Sequence, residues 1–230
     1  MLIFNCTGAV DDFFSVVEKG RKFSRAQRPS PGEEADNVAS RDGEPRLPSR
    51  WVVHAIRVRR KPVLLAMHVE TRYCMVFVGI KRGDLGAFVQ LFIERWLNEM
   101  QRFGMKLGAL TETELPLIVA RFMDRHGGFQ LIQAGDRSVQ AHMNEVLRQF
   151  RGFVEDYDSF PEDDLQASAF DEWANDTPRS TGLSKDYFFP DIVMFETWLR
   201  QFCGASDERV AEARRRWQAY RRNAPEMHSL

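Results

Sequence analysis

Three apolar runs in succession, between Trp51 and Ile80, restrict the fold more than any other feature of the chain. They read WVVHAIRV, VLLAMHV and YCMVFVGI, separated only by RRKP and ETR. Each run is rich in Val, Ile and aromatic residues, and links this short join antiparallel neighbours, so the segment predicts a three-stranded meander. In the first strand Val52, His54, Ile56 and Val58 share one parity and are expected to face the core, with His54 satisfied within it. In the second and third strands both parities are largely apolar, which predicts central strands covered by helices.

The flanking segments supply those helices. Leu2–Cys6 reads as a strand, and Ala9–Val17 as an amphipathic helix stopped by the basic Lys19–Lys22. From Phe23 to Arg50 four prolines and many charges replace core-forming residues, predicting a long polar loop over 24–50. Asp84 is placed to cap a helix carrying Phe88, Leu91, Phe92, Trp96 and Met100 at helical spacing. Thr111 and Glu114 fit a capping box for a helix over Thr111–Met123, which His126-Gly127-Gly128 ends before a short strand at Phe129–Ile132. Asp136–Tyr157 forms the next helix, with Val139, Met143, Val146, Leu147, Phe150 and Val154 as its apolar stripe. Glu155–Asp176 then holds nine acidic residues and no Lys or Arg, and reads as a solvated acidic face. Helices over Asp186–Phe202 and Asp207–Arg222 follow, the last with an arginine-rich outer surface, and the final eight residues read as frayed. The expected fold is α+β: a small antiparallel or mixed sheet packed by helices in a body over 1–157, and a helical extension over 158–230. That extension is expected either to form a small domain or to pack on the body.

Charge and cysteine content narrow the function. Lys plus Arg number 32 and Asp plus Glu 33, so a protein built to coat nucleic acid is disfavoured. Asp11 and Asp12 interrupt the first apolar stretch, no run is long enough to cross a bilayer, and cytoplasmic residence is expected without membrane association. Cys6, Cys74 and Cys203 form no CxxC pair and read as small buried hydrophobes, and the five histidines lack metal-ligand spacing, so neither a metal nor another cofactor is expected. Phosphate-loop, dinucleotide-binding and GxSxG patterns are absent.

The sharpest local feature is AGDRSVQAHMNE, residues 134 to 145. With the opening MLIFNCT and the strand pair RRKPVLLAMHVETRYCMVF, it resembles an uncharacterised bacterial domain family of unknown function. Asp136, Arg137, Ser138, Val139, Met143 and Asn144 match that family's late motif, while Gly135, Gln140, Ala141, His142 and Glu145 depart from it. The resemblance spans about residues 1–157 and implies no activity.

Two functional expectations follow. The first is a non-enzymatic cytoplasmic module that engages a protein or forms a homodimer through its C-terminal helices, with the acidic run pairing with the arginine-rich helix within or between chains. The alternative is an enzyme or binding protein acting on a phosphorylated ligand or nucleic acid at the start of the 136–157 helix, where free N–H groups suit an anion. Its polar pocket would join Asn5 and Thr7, Arg59 and Lys61, and Arg137, Ser138 and Asn144, with no residue assigned as a base. Basic residues at 57–61 and 81–82 are expected on one sheet edge, with Trp51, Tyr73 and Phe77 as stacking surfaces for bases.

Overall fold

The computed structural model describes residues 1–28, 49–180 and 186–223. In chain order, β1 (Leu2–Cys6) leads into α1 (Gly8–Phe14), a small hairpin of β2 (Val16–Glu18) and β3 (Arg21–Phe23), and the meander β4 (Ser49–Val58), β5 (Lys61–His68) and β6 (Cys74–Val78). Then come α2 (Leu85–Lys106), α3 (Leu115–Arg125), β7 (Phe129–Gln133), α4 (Arg137–Asp156), α5 (Asp164–Asn175), α6 (Pro190–Phe202) and α7 (Asp207–Asn223). The main sheet has the order β6-β5-β4-β1-β7. The meander is antiparallel, and β1 runs parallel to both β4 and β7, so the sheet is mixed and the fold is α+β with C-terminal helices.

Strand parity sorts the core into two layers. Phe4, Trp51, Val53, Leu64, Ala66, Met75 and Phe77 face α2. Val52, Val63, Leu65, Met67, Cys74 and Val76 face α4 and α5. Both parities of β4 are therefore buried, not the single face expected from its sequence, because β4 is an interior strand between β5 and β1. Of the predicted α2 stripe, Phe88, Phe92, Trp96 and Met100 are buried, each contributing about 1.5–3 kcal/mol of burial free energy, and Leu91 is half-buried. Trp51, Tyr73 and Phe77 lie in this layer as well, so they are core residues and present no stacking surface to a base.

Several local expectations are corrected. The first helix ends at Phe14, and Val16 and Val17 enter a hairpin whose Lys19 and Gly20 both have positive φ, as a tight turn between right-twisted strands requires. Of the expected 24–50 loop, 29–48 lie outside the described residues. Ser49 and Arg50 begin β4, and Gln27 pairs with the outer side of β7 through Gln27 N–H to Leu131 O (2.8 Å) and Gln133 N–H to Gln27 O (2.7 Å). The acidic run is not uniformly solvated, because part of it folds as α5 and Asp171 is fully buried.

Helix α5 explains how the sheet ends. β6 is an edge strand, and an edge exposes a row of backbone groups. Here side chains close it. Asn175 accepts from Cys74 N–H and donates to Cys74 O, both at 2.8 Å, and Asp171 accepts from Val76 N–H at 2.9 Å. Arg95 of α2 donates to Val76 O and pairs with Asp171. Asp171 and Asn175 are four residues apart, so one helix face presents both to alternate residues of the strand. Helix α6 packs in the other layer, where Phe195, Trp198 and Phe202 are buried with Val210, Ala213 and Trp217 of α7. Residues 224–230, most of the segment read as frayed, lie outside the described residues.

Candidate functional site

The residues expected to form one polar pocket occupy separate places. Thr7 Oγ1 is 2.9 Å from His54 Nδ1, so its hydroxyl is engaged within the fold. Burial lowers the His54 pKa. Asn5 is a half-buried member of β1, paired between Val52 and Ile132. Arg59 and Lys61 flank the β4–β5 turn, where Arg59 pairs with Asp158 and the Lys61 ammonium lies 4.8 Å from the centre of the Phe160 ring. Arg137, Ser138 and Asn144 lie on α4 and are exposed. Asp136 caps that helix by accepting from Val139 N–H at 3.0 Å, and Ser138 Oγ accepts from the buried Arg72 at 3.0 Å. Arg72 sits in the β5–β6 turn, at the opposite end of the meander from Arg59, so the helix start and the basic hairpin are distinct sites.

The expected basic edge forms. Arg59, Lys61, Lys81 and Arg82 line one open cleft of about 1060 Å³. The turn that creates it holds Arg59 and Arg60 both at positive φ, a conformation costing roughly 1–2 kcal/mol per non-glycine residue.

A partly open cavity of about 300 Å³ with polar groups in its wall lies where α2, α5 and α6 meet, lined by Tyr73, Glu99, Lys106, Asn175 and Asp191 among others. Its groups are matched to one another. Glu99 accepts from Tyr73 Oη (2.6 Å) and Ser168 Oγ (2.9 Å), and Asp191 accepts from Ile192 N–H (2.6 Å) and Trp217 Nε1–H (3.0 Å). Burial pushes the Asp191 carboxyl up to about 7. The Glu99 contacts join α2 to α5 and to Tyr73 beside β6, and the Asp191–Trp217 contact joins α6 to α7, which accounts for the perturbed groups in structural terms. Among the described residues no group of three or more His, Cys, Asp or Glu side chains is placed to hold a metal ion.

A largely apolar cleft runs between the C-terminal half of α4 and α5, with a volume of about 560 Å³. Phe153, Tyr157, Phe160, Phe170 and Trp173 line it, with Asp156 and Glu162 among the polar groups. The rings touch in series: Phe153 to Tyr157 at 4.7 Å, Phe153 to Phe170 at 5.5 Å and Phe170 to Trp173 at 5.7 Å. Tyr157 and Trp173 are 49 % and 37 % exposed, an aromatic surface of the kind that anchors protein contacts. Sequence reading passed over this site because Phe153 and Tyr157 lie beside the α4 core stripe, and periodicity searches discard residues off the stripe. The legible signal was that off-stripe aromatic pair together with Gly152.

Gly152 lies inside α4, and a Cβ built there meets nothing within 4 Å. No packing or turn requirement calls for glycine, yet glycine inside a helix costs about 0.5–1 kcal/mol relative to alanine. Its bare backbone forms part of the cleft lining. Gly152→Ala is accordingly expected to raise stability by about 0.5–1 kcal/mol, a rise of roughly 2 °C in Tm. A scanning-calorimetry result showing a lower Tm would mean that the position is crowded after all.

Residues 5–193 match the family described as Domain of unknown function (DUF6933). No curated protein and no solved structure shows a significant match to the chain. The matched span runs from β1 through α5 into α6, and so includes both walls of the aromatic cleft and the side chains that close the β6 edge. The chain therefore belongs to the DUF6933 family.

Proposed function

We propose that this domain is a non-enzymatic interaction module of the bacterial cytoplasm that docks an extended segment of a partner protein in the cleft between α4 and α5. The observation that carries this reading is the exposed aromatic lining of that cleft, which includes a helical glycine that the fold itself does not need. The C-terminal helices are a weaker candidate surface, because Val210, Ala213 and Trp217 of α7 are already buried within the chain. Of the acidic run and the arginine-rich helix, Asp176 and Arg221 pair within the chain, so that complementarity is partly used in folding. A non-catalytic role agrees with the internally matched groups of the polar cavity. Residence in a reducing compartment agrees with three free thiols whose pKa values burial raises, Cys6 and Cys74 to about 12 and Cys203 to about 11.

The reading at the start of α4, for a phosphorylated ligand or nucleic acid, draws on Arg72 beside Ser138. It ranks second because Asp136 already caps that helix and places a carboxylate where an anion would sit.

The test is a random-peptide display selection against the wild-type protein, with rescreening on Gly152→Phe, which fills the cleft from an open position. Peptides that bind wild type and lose at least about ten-fold in affinity on the variant, one decade or 1.4 kcal/mol, are the expected outcome. The variant should keep its far-ultraviolet circular dichroism. If no recovered peptide distinguishes the two proteins, the cleft is not a docking site.

A further inference from the structure

We infer that the α4–α5 cleft selects a cationic side chain, arginine or lysine, as the anchor residue of the segment it binds. This rests on the reading of the cleft as a docking site and adds the chemistry of its occupant. Among the described residues no Lys or Arg lines the cleft, whereas Asp156 and Glu162 do, the latter at its border with the basic cleft. Both carboxylates are exposed and neither forms an ion pair among the described residues, in contrast to their neighbours Asp158, Glu172 and Asp176, which pair with Arg59, Lys106 and Arg221. Unpaired carboxylates above an aromatic floor favour one ligand chemistry: a positive charge, which the negative faces of the rings and the rim carboxylates both attract.

The chain supplies an internal example at the cleft's own margin. The Lys61 ammonium stands 4.8 Å from the centre of the Phe160 ring, and Phe160 also lines the aromatic cleft. The intrinsic cation thus occupies the end of the aromatic series nearest the basic hairpin, while Tyr157 and Trp173 are exposed and, among the described residues, have no cation over their rings. A long cationic side chain matches the remaining space. Its methylene stem covers the Phe153 and Trp173 rings, and its charged head reaches Asp156 or Glu162. An acidic or neutral polar side chain would leave Asp156 uncompensated and gain nothing from the ring faces. The adjoining basic cleft, with Lys81 and Arg82, adds direction by repelling a second cation from that end.

The experiment uses the full chain and a five-residue capped peptide with a central arginine, alongside its twin carrying citrulline, the neutral isostere. Binding is followed by amide and indole NMR shifts of Gly152, Tyr157 and Trp173. The arginine peptide is expected to bind about five-fold more tightly than the citrulline peptide. That preference should fall below about two-fold in the Asp156→Asn, Glu162→Gln double variant, and also at about 0.5 M salt, where exposed charges are screened. Both substitutions are on exposed side chains, so the double variant is expected to keep the wild-type Tm. Equal binding of the two peptides, or no shift at the cleft with the arginine peptide, overturns the cationic anchor. Neither result touches the docking reading, which falls only if the display selection yields no cleft-dependent peptide.

Discussion

Asp171→Ala is expected to destabilise the fold by about 3–5 kcal/mol, a large part of the stability of a typical domain. The carboxylate is fully buried, accepts from Val76 N–H at 2.9 Å and pairs with Arg95, itself only 4 % exposed. Alanine leaves a buried guanidinium with Glu99 as its remaining carboxylate, at 3.4 Å, and leaves the Val76 N–H on the sheet edge without an acceptor. Asp171→Asn retains an acceptor for that N–H and removes only the charge, so it should lose less than alanine. An Asp171→Leu, Arg95→Met double variant removes the ion pair altogether, which is often close to neutral when the replacement packs well. Here it should recover only part of the loss, because Val76 N–H and Val76 O both lose their partners. Urea unfolding followed by circular dichroism measures all three. A loss below about 1 kcal/mol for Asp171→Ala would show that the strand edge does not depend on this contact.

The same contact shows where sequence reading stops. The meander, the opening strand and the α2 stripe were legible because each is a local pattern: alternation, short turns, or helical spacing. Helix α5 was not legible. Its Asp171 and Asn175 look like surface residues within an acidic run, and acidic residues near one another suggest solvent. Their burial depends on Arg95, 76 positions earlier, and on a strand edge whose existence is known only after the sheet is assembled. A buried charge is legible only together with its partner. The basic cleft behaved differently. Arg59, Lys61, Lys81 and Arg82 were expected on one edge from the meander alone, since two strands separate the turns that carry them, and they line one cleft. The expected link from there to Arg137, Ser138 and Asn144 required knowing which way α4 crosses the sheet. Its start lies by Arg72 and its far end by Arg59, so the two sets fall at opposite ends. The aromatic cleft was hidden for a third reason. Its value lies in what the core stripe leaves out, and in a glycine whose meaning appears only when the space above it is seen to be empty.

Acidification should expose a second buried group with an effect nearly as large. His126 is 4 % exposed, enclosed by Trp96, Phe122 and Phe202 with ring centres 5.1, 4.5 and 5.4 Å away. Its Nδ1 lies 3.0 Å from Phe122 O, and its Nε2 is buried with no hydrogen-bond partner among the described residues. Burial, reinforced by the positive charges of the Met1 ammonium and Arg125, pushes its pKa down to about 3. The unfolded chain therefore binds a proton near pH 6.5 that the folded chain refuses until about pH 3. The stability this group allows is complete above pH 6.5 and is lost as the pH falls toward 3. By pH 4 the loss from this residue is about 3 kcal/mol. His126→Phe removes the proton site and keeps an aromatic ring among aromatic rings. Phe122 O still accepts the backbone N–H of residue 126, at 3.0 Å in the wild-type protein. At pH 8 the variant is expected to lie within about 1 kcal/mol of wild type, as a near-isosteric ring exchange in a packed core usually does. At pH 4 it should be the more stable protein by about 2–3 kcal/mol. His68, also pushed to about 3 by burial, is present in both proteins and cancels in the comparison. Urea midpoints of the two proteins measured from pH 8 to pH 4 decide the matter: curves that diverge below pH 6.5 support a neutral buried imidazole, and parallel curves overturn it.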